Sequence, residues 1–177
     1  TMNAIHVDAT KEGRPLVWQA APDPSIGPDE VLVDIHATAL NRADLMQRAG
    51  NYPPPPGAPD ILGLEMAGVI RQVGAAVRGW QGGDRVCALL PGGGYAEQAV
   101  VPQALLMPVP QGWSFEQAGA MPEVFLTAYV NLYIEANLQP GETVLVHGGA
   151  SGVGTAAIQL LRASGNPVIV TAGGADK

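Results

Sequence analysis

One cysteine, Cys87, is all the chain carries in 177 residues. An internal disulfide is therefore excluded, and so is a cysteine-rich zinc lobe. Charged residues make up only 14% of the sequence and aromatics 5%. Lys and Arg occur singly, with no basic run, and the net charge is −7. That balance argues against a partner built on a phosphate backbone, so nucleic acid is not expected. No apolar stretch approaches the ~18 residues of a membrane helix, and no apolar signal core opens the chain. The expectation is a soluble, cytoplasmic protein without a membrane partner. What is present is a hydrophobic content of 47%, with 23 glycines and 16 prolines. This is the composition of a globular, core-rich chain with many turns rather than a disordered one.

The richest local signal lies near the C-terminus. Thr143-Val-Leu-Val-His147 reads as a short buried strand. It is followed by Gly149-Ala-Ser-Gly-Val-Gly154, and then by apolar positions Val153, Ala156, Ala157, Leu160 and Leu161 at helical spacing. Gly165 reads as the helix C-cap, and Pro167-Val-Ile-Val-Thr171 as a second strand. A strand, a glycine-rich turn and a helix N-terminus together make a pyrophosphate site. On this reading Gly149, Gly152 and Gly154 let the backbone turn and approach a ligand, with Ser151 and Val153 in the same loop. The motif departs from G-x-G-x-x-G, because Ser151 stands where the middle glycine would be. An NAD site calls for an acid about 20 residues on, to hold the ribose 2′-hydroxyl. Here the second strand runs into Gly173 and Gly174, with no carboxylate before Asp176, and Lys177 is available for a 2′-phosphate. NADPH is the expected cofactor.

The first 120 or so residues have another texture. Ala4 to Val7, Val31 to Ile35, Met66 to Val73 and Tyr95 to Val101 are short apolar runs between Gly, Pro and Asp clusters. Such spacing predicts a mostly β, barrel-like module. Asn41 to Arg48 reads as a short helix capped by Asn41. Pro53 to Pro56 forces an extended loop. Ser114-Phe-Glu-Gln117 is a capping box, and a further helix is expected from Pro122 to about Ala136. A domain boundary is expected near 121–125. The fold class is thus α/β plus β, with residues 1–123 as a β-barrel domain and 124–177 as the start of a doubly wound nucleotide domain. Because only the first strand, helix and second strand of that domain occur, the chain reads as a piece of a longer protein.

Several stretches together resemble the medium-chain dehydrogenase/reductase superfamily. They are Ala39 to Arg48, Ile61 to Glu65, Gly83 to Val86, Leu89 to Gly94 and Ser151 to Leu160. The resemblance is to its zinc-free, zeta-crystallin-like quinone oxidoreductases, and within them to the p53-inducible group. It implies a GroES-like catalytic domain followed by a Rossmann domain, in a full-length protein that forms a homodimer. By position in the family's motifs, its zinc-ligand places fall at Asn41, Leu64 and Glu123, a set unsuited to zinc, so no metal is expected. The resemblance implies Asn41 and Tyr52 as catalytic residues, and Thr127 near the nicotinamide.

Without a Lewis acid, hydride transfer needs an acceptor that is already electrophilic, such as a quinone or an activated enone. The first expectation is therefore an NADPH-dependent quinone oxidoreductase. The alternatives are an enone or enoyl-thioester reductase with Tyr52 as proton donor, a non-catalytic NADPH-binding protein, and an inactive fragment. Other residues read as structural. His6 and His36 are expected as hydrogen-bonded strand residues, and His147 as a neighbour of the turn backbone. Asp44 and Glu65 are expected to orient backbone or arginines, Asp84 and Arg85 to pair across a turn, and Trp18, Trp80 and Trp113 to pack.

Overall fold

The computed structural model describes residues 1–174. The chain divides into two compact units, Thr1–Pro122 and Glu123–Lys177.

The first unit is built on antiparallel strands. β1 (Met2–Val7) and β2 (Leu16–Ala21) form a hairpin. β3 (Glu30–Ala37), β4 (Glu65–Val73), β5 (Arg85–Leu89), β6 (Gln98–Pro102) and β7 (Leu106–Pro108) form a five-stranded sheet in the order β6-β3-β4-β5-β7. Register shifts between Leu32 and Val33, and between Ile35 and Ala37, bend the β3–β4 ladder. The core fills one side of this sheet. Val31, Val33, Met66, Ile70, Val86 and Val101 are all but fully buried there. α2 (Phe115–Gly119), opened by the Ser114–Gln117 capping box, packs on β3, β4 and β5, and α1 (Arg42–Ala49) follows β3 along the chain.

The second unit contains α3 (Pro122–Tyr129), β8 (Val144–Val146), α4 (Gly152–Ser164) and β9 (Val168–Val170). β8 and β9 pair in parallel, with α4 as the crossover. Ala128, Leu132, Ala156, Ala157 and Leu161 form its core. Asn166, 6% exposed, donates to the carbonyls of Gln139 and Glu142 and ties the entry loop of β8 to the exit of α4.

Several expectations need correction. β2, β5 and β7 carry no pattern that marked them as strands. The helix expected from Pro122 to about Ala136 runs to Glu135, but it is α-helical only to Tyr129, and Val130–Glu135 widens into π-helical turns. The reason is local: the Asn131 side chain donates to the Thr127 carbonyl at 2.8 Å, and the backbone bonds shift to Ala136 N–H on the Asn131 carbonyl. Asp84 and Arg85 do not pair. Asp84 accepts from the Gln81 N–H, while Arg85 donates to the Trp113 carbonyl and stacks over Phe115. Trp18 is 56% exposed rather than packed, because it stands on the open face of β2. His6 Nε2 is buried without a partner, and His36 stacks on Phe115.

Candidate functional site

In the second unit, β8 runs straight into the glycine turn. Gly148 takes φ +72, the left-handed conformation that lets the strand reverse into the helix. The expectation from sequence placed the turning at Gly149, Gly152 and Gly154 and missed Gly148. Those three serve close packing instead. A β-carbon on Gly149 would meet Val170 Cβ at 2.6 Å, and one on Gly152 would meet Val124 Cγ1 at 3.0 Å. One on Gly154 would overlap the Gly148 carbonyl. The small residues thus let α4 and β9 press against the turn.

Ser151 is the N-cap of α4, and its Oγ accepts from the Gly154 N–H at 3.0 Å. Its backbone N–H bonds the Gly148 carbonyl, and Thr155 N–H bonds the Ser151 carbonyl. The Gly152 and Val153 N–H groups head the helix at its positive dipole end. At the turn, on the N-terminal side of the helix, lies a cleft of about 440 Å³ lined by Gly148, Ala150, Ser151, Ala172 and Gly173. His147 meets the Thr171 hydroxyl at 3.1 Å, rather than the turn backbone, and this joins the ends of the two strands. Gly173 has open space around it, Gly174 follows it, and Lys177 lies outside the described residues. The cleft sits beyond the carboxyl ends of parallel strands, and its small-residue walls and helix N–H groups fit a dinucleotide pyrophosphate. Thr127 stands half-buried on α3, its carbonyl held by Asn131.

In the first unit, Asn41 is fixed from two sides. Its backbone N–H donates to Asp44 Oδ2 at 2.7 Å, and its Nδ2 donates to Glu65 Oε1 at 2.8 Å. Asp44, 4% exposed, also takes the Tyr95 phenol at 2.7 Å. Glu65 is fully buried. Asp44 and Glu65 orient Asn41, and Tyr95 completes the network although it lies 51 residues from Asp44. Burial first, then the hydrogen bond to Asp44, pushes the Tyr95 phenol well above its ordinary range. Burial, and secondarily the Glu65 charge, raises the Cys87 thiol to about 11. Asn41, Asp44 and Tyr95 line a cleft of about 360 Å³ with Leu16, Leu40 and Leu62. Tyr52 is 45% exposed on the loop after α1 and does not line that cleft. Leu64, at a zinc-ligand place of the superfamily, is buried. Among the described residues, no group of three or more His, Cys, Asp or Glu side chains is placed to hold a metal ion.

Comparison with known proteins bears on this arrangement. Residues 27–111 match the alcohol dehydrogenase GroES-like domain. The solved quinone oxidoreductase of Pseudomonas syringae pv. Tomato DC3000 superposes with a TM-score of 0.88 at 34% identity, over 99% of this chain and 54% of that one. The chain belongs to the quinone-oxidoreductase-like medium-chain dehydrogenases/reductases.

Other known proteins are similar along most of the chain. The Thermus thermophilus quinone oxidoreductase, solved also in complex with NADPH, gives a TM-score of 0.82 at 38% identity, over 99% of this chain and 55% of that one. The CurK enoyl reductase gives 0.87 at 31% identity, over 97% and 54%. Among curated proteins, human synaptic vesicle membrane protein VAT-1 homolog is 41% identical over 89% of this chain and 40% of its own length. A Mycobacterium marinum phenolphthiocerol synthesis polyketide synthase, Pks15/1, is 46% identical over 81% of this chain and 7% of its own. The chain thus spans about half the length of the solved structures and less than half of these curated relatives. No helix among the described residues is long and apolar enough to cross a membrane.

Proposed function

We propose that this chain provides the GroES-like domain and the first nucleotide-binding elements of an NADPH-dependent quinone oxidoreductase. The observation that carries the reading is the cleft at the β8–α4 turn, lined by Gly148, Ala150, Ser151, Ala172 and Gly173 at the head of a capped helix and beyond the ends of parallel strands. The likeness to quinone oxidoreductases, one of them solved with NADPH, supports it.

When bound, the nicotinamide supplies the hydride. The chain's own residues bind and orient. The Gly152 and Val153 N–H groups take the pyrophosphate, and Gly173 and Gly174 leave room for the adenosine ribose with its 2′-phosphate. Thr127 borders the nicotinamide. Asn41, held by Glu65 and Asp44, presents its amide edge to the acceptor oxygen. Its orientation is fixed before the acceptor arrives, which lowers the entropy lost on reaching a reactive geometry.

A second reading, an enoyl-thioester reductase with Tyr52 as proton donor, is favoured by the likeness to the CurK enoyl reductase and by the 46% identity with a polyketide synthase. The two separate by steady-state turnover. The purified protein is assayed with an ortho-quinone and with a crotonyl thioester, using NADPH and NADH, as wild type and as Tyr52→Phe. Turnover of the quinone with a preference for NADPH, retained in Tyr52→Phe, is expected. Turnover confined to the thioester and lost in Tyr52→Phe moves the assignment to the second reading. Failure to bind either nicotinamide overturns both.

A further inference from the structure

Tyr95, shortly before β6, is pinned by its backbone from two sides. Its N–H donates to the Leu62 carbonyl at 2.9 Å, and its carbonyl takes the Ile5 N–H at 2.8 Å. The glycines beside this join leave no slack. Gly63, at φ +102, lies so close that a β-carbon there would sit 2.5 Å from the Tyr95 nitrogen. A β-carbon on Gly94 would meet the Glu65 carbonyl at 2.7 Å. The Gly93 and Gly94 N–H groups donate to the Ile61 and Gly63 carbonyls. The segment carrying Glu65 and the segment carrying Tyr95 are thus laced together by their backbones. Tyr95 is 6% exposed and all these partners belong to the first unit, so the network is an internal one.

Asn41 is held by both of the laced segments. Glu65 takes its amide directly, whereas Tyr95 reaches it through Asp44. The Asn41 N–H and the Tyr95 phenol each lie 2.7 Å from the same atom, Asp44 Oδ2. A hydroxyl has one proton to give, and the carboxylate draws it in preference to the Ala39 carbonyl, 3.3 Å away. Burial and the bond to Asp44 hold the phenol above its ordinary range, so the proton stays on Tyr95. Tyr95 lines the Asn41 cleft and Tyr52 does not, yet Tyr95 is a fixed donor there and not an acid. Without that donor the Asp44 carboxylate is free to turn about χ2, a broad torsion, and the Asn41 N–H that it holds moves with it.

We infer that Tyr95 is a positioning residue for hydride transfer: its hydroxyl sets the Asp44 carboxylate, and the carboxylate sets Asn41, on the reading in which Asn41 meets the acceptor oxygen.

The test has a spectroscopic arm and a kinetic arm. The first follows the backbone amide of Asn41 in ¹⁵N-asparagine-labelled protein, which reports the hold with no turnover needed. Tyr95→Phe, which keeps the ring and loses the hydroxyl, shifts this resonance and leaves the amides of β3 and β4 in place. Incorporation of 3-fluorotyrosine at 95 keeps ring and hydroxyl and changes the donor's strength, so it moves the same resonance even if Tyr95→Phe fails to fold. The second arm measures NADPH-dependent reduction of an ortho-quinone and of a crotonyl thioester. Tyr95→Phe lowers kcat about tenfold with KM changed less than about twofold. In an Asn41→Ala background the same substitution costs nothing further, because its effect runs through Asn41. Losses that add in the double variant overturn the inference, since Tyr95 would then act on the fold at large. An Asn41 amide unmoved by either change at 95, in a protein that turns over, overturns it alone. Reduction of neither acceptor by the wild type overturns the acceptor reading and the positioning role with it, while the amide resonance still decides whether Tyr95 holds Asn41.

Discussion

A β-carbon added at Gly149 would meet that of Val170 at 2.6 Å, a separation that one side chain cannot relieve by rotating. Gly149→Ala therefore pushes β9 from the turn and destabilises the second unit by about 1–3 kcal/mol, read from urea unfolding. An unchanged midpoint would mean that the strand simply shifts. Cys87 gives a pH prediction. Its thiol is raised from 9.0 to about 11 by burial, then by Glu65, so the folded state holds the proton more tightly than the unfolded chain. That stability is fully present below pH 9.0 and is lost as pH rises toward about 11. Cys87→Ala flattens this alkaline limb of a stability–pH curve. If the limb keeps its slope, another group, Tyr95 foremost, carries it. The sequence marks Asn41 through its helix-start position and motif. Nothing local marks Tyr95, because its partnership with Asp44 exists only once β-strand pairing brings the two together. Gly148 escaped notice because a glycine pair leaves open which member takes the left-handed turn.

At the scale of elements, α4 depends on one hydroxyl. Ser151→Ala removes the acceptor of the Gly154 N–H and costs about 0.5–2 kcal/mol. Because the same cap sets the direction of the Gly152 and Val153 N–H groups, NADPH affinity falls with it. Ser151→Asp restores the cap but places a charge before the pyrophosphate, so stability recovers while affinity does not. Parallel recovery of both would remove the turn from the cofactor site. α4 was legible because its apolar spacing and the glycine at its end agree, whereas the cap by Ser151 emerges only in the structure. β3 and β4 were legible as apolar runs bounded by turns. β2 was not: with Leu16, Trp18, Gln19 and Ala20 exposed, it owes its strand to pairing with β1 rather than to a buried face. β7, at three residues, is too short to carry a period.

For the whole molecule, the two units bury their sheets unequally. β3 is paired on both sides and sends Val31 and Val33 into a continuous core. β8 and β9 form a two-stranded parallel sheet whose Leu145, Ile169 and Val170 are 55%, 59% and 44% exposed. Parallel strands are ordinarily covered on both faces, and a two-stranded sheet has little cooperativity of its own. In this chain taken by itself, the second unit is therefore expected to open at lower free energy than the first. Native-state hydrogen exchange checks this directly. Amides of β8, β9 and the glycine turn exchange well before those of β3 and β4, and added NADPH slows the former while leaving the latter unchanged. Uniform exchange across both sheets would show one cooperative molecule. Protection of β3 and β4 alone by NADPH would place the cofactor away from the glycine turn, and the dinucleotide reading of this chain would fall with it.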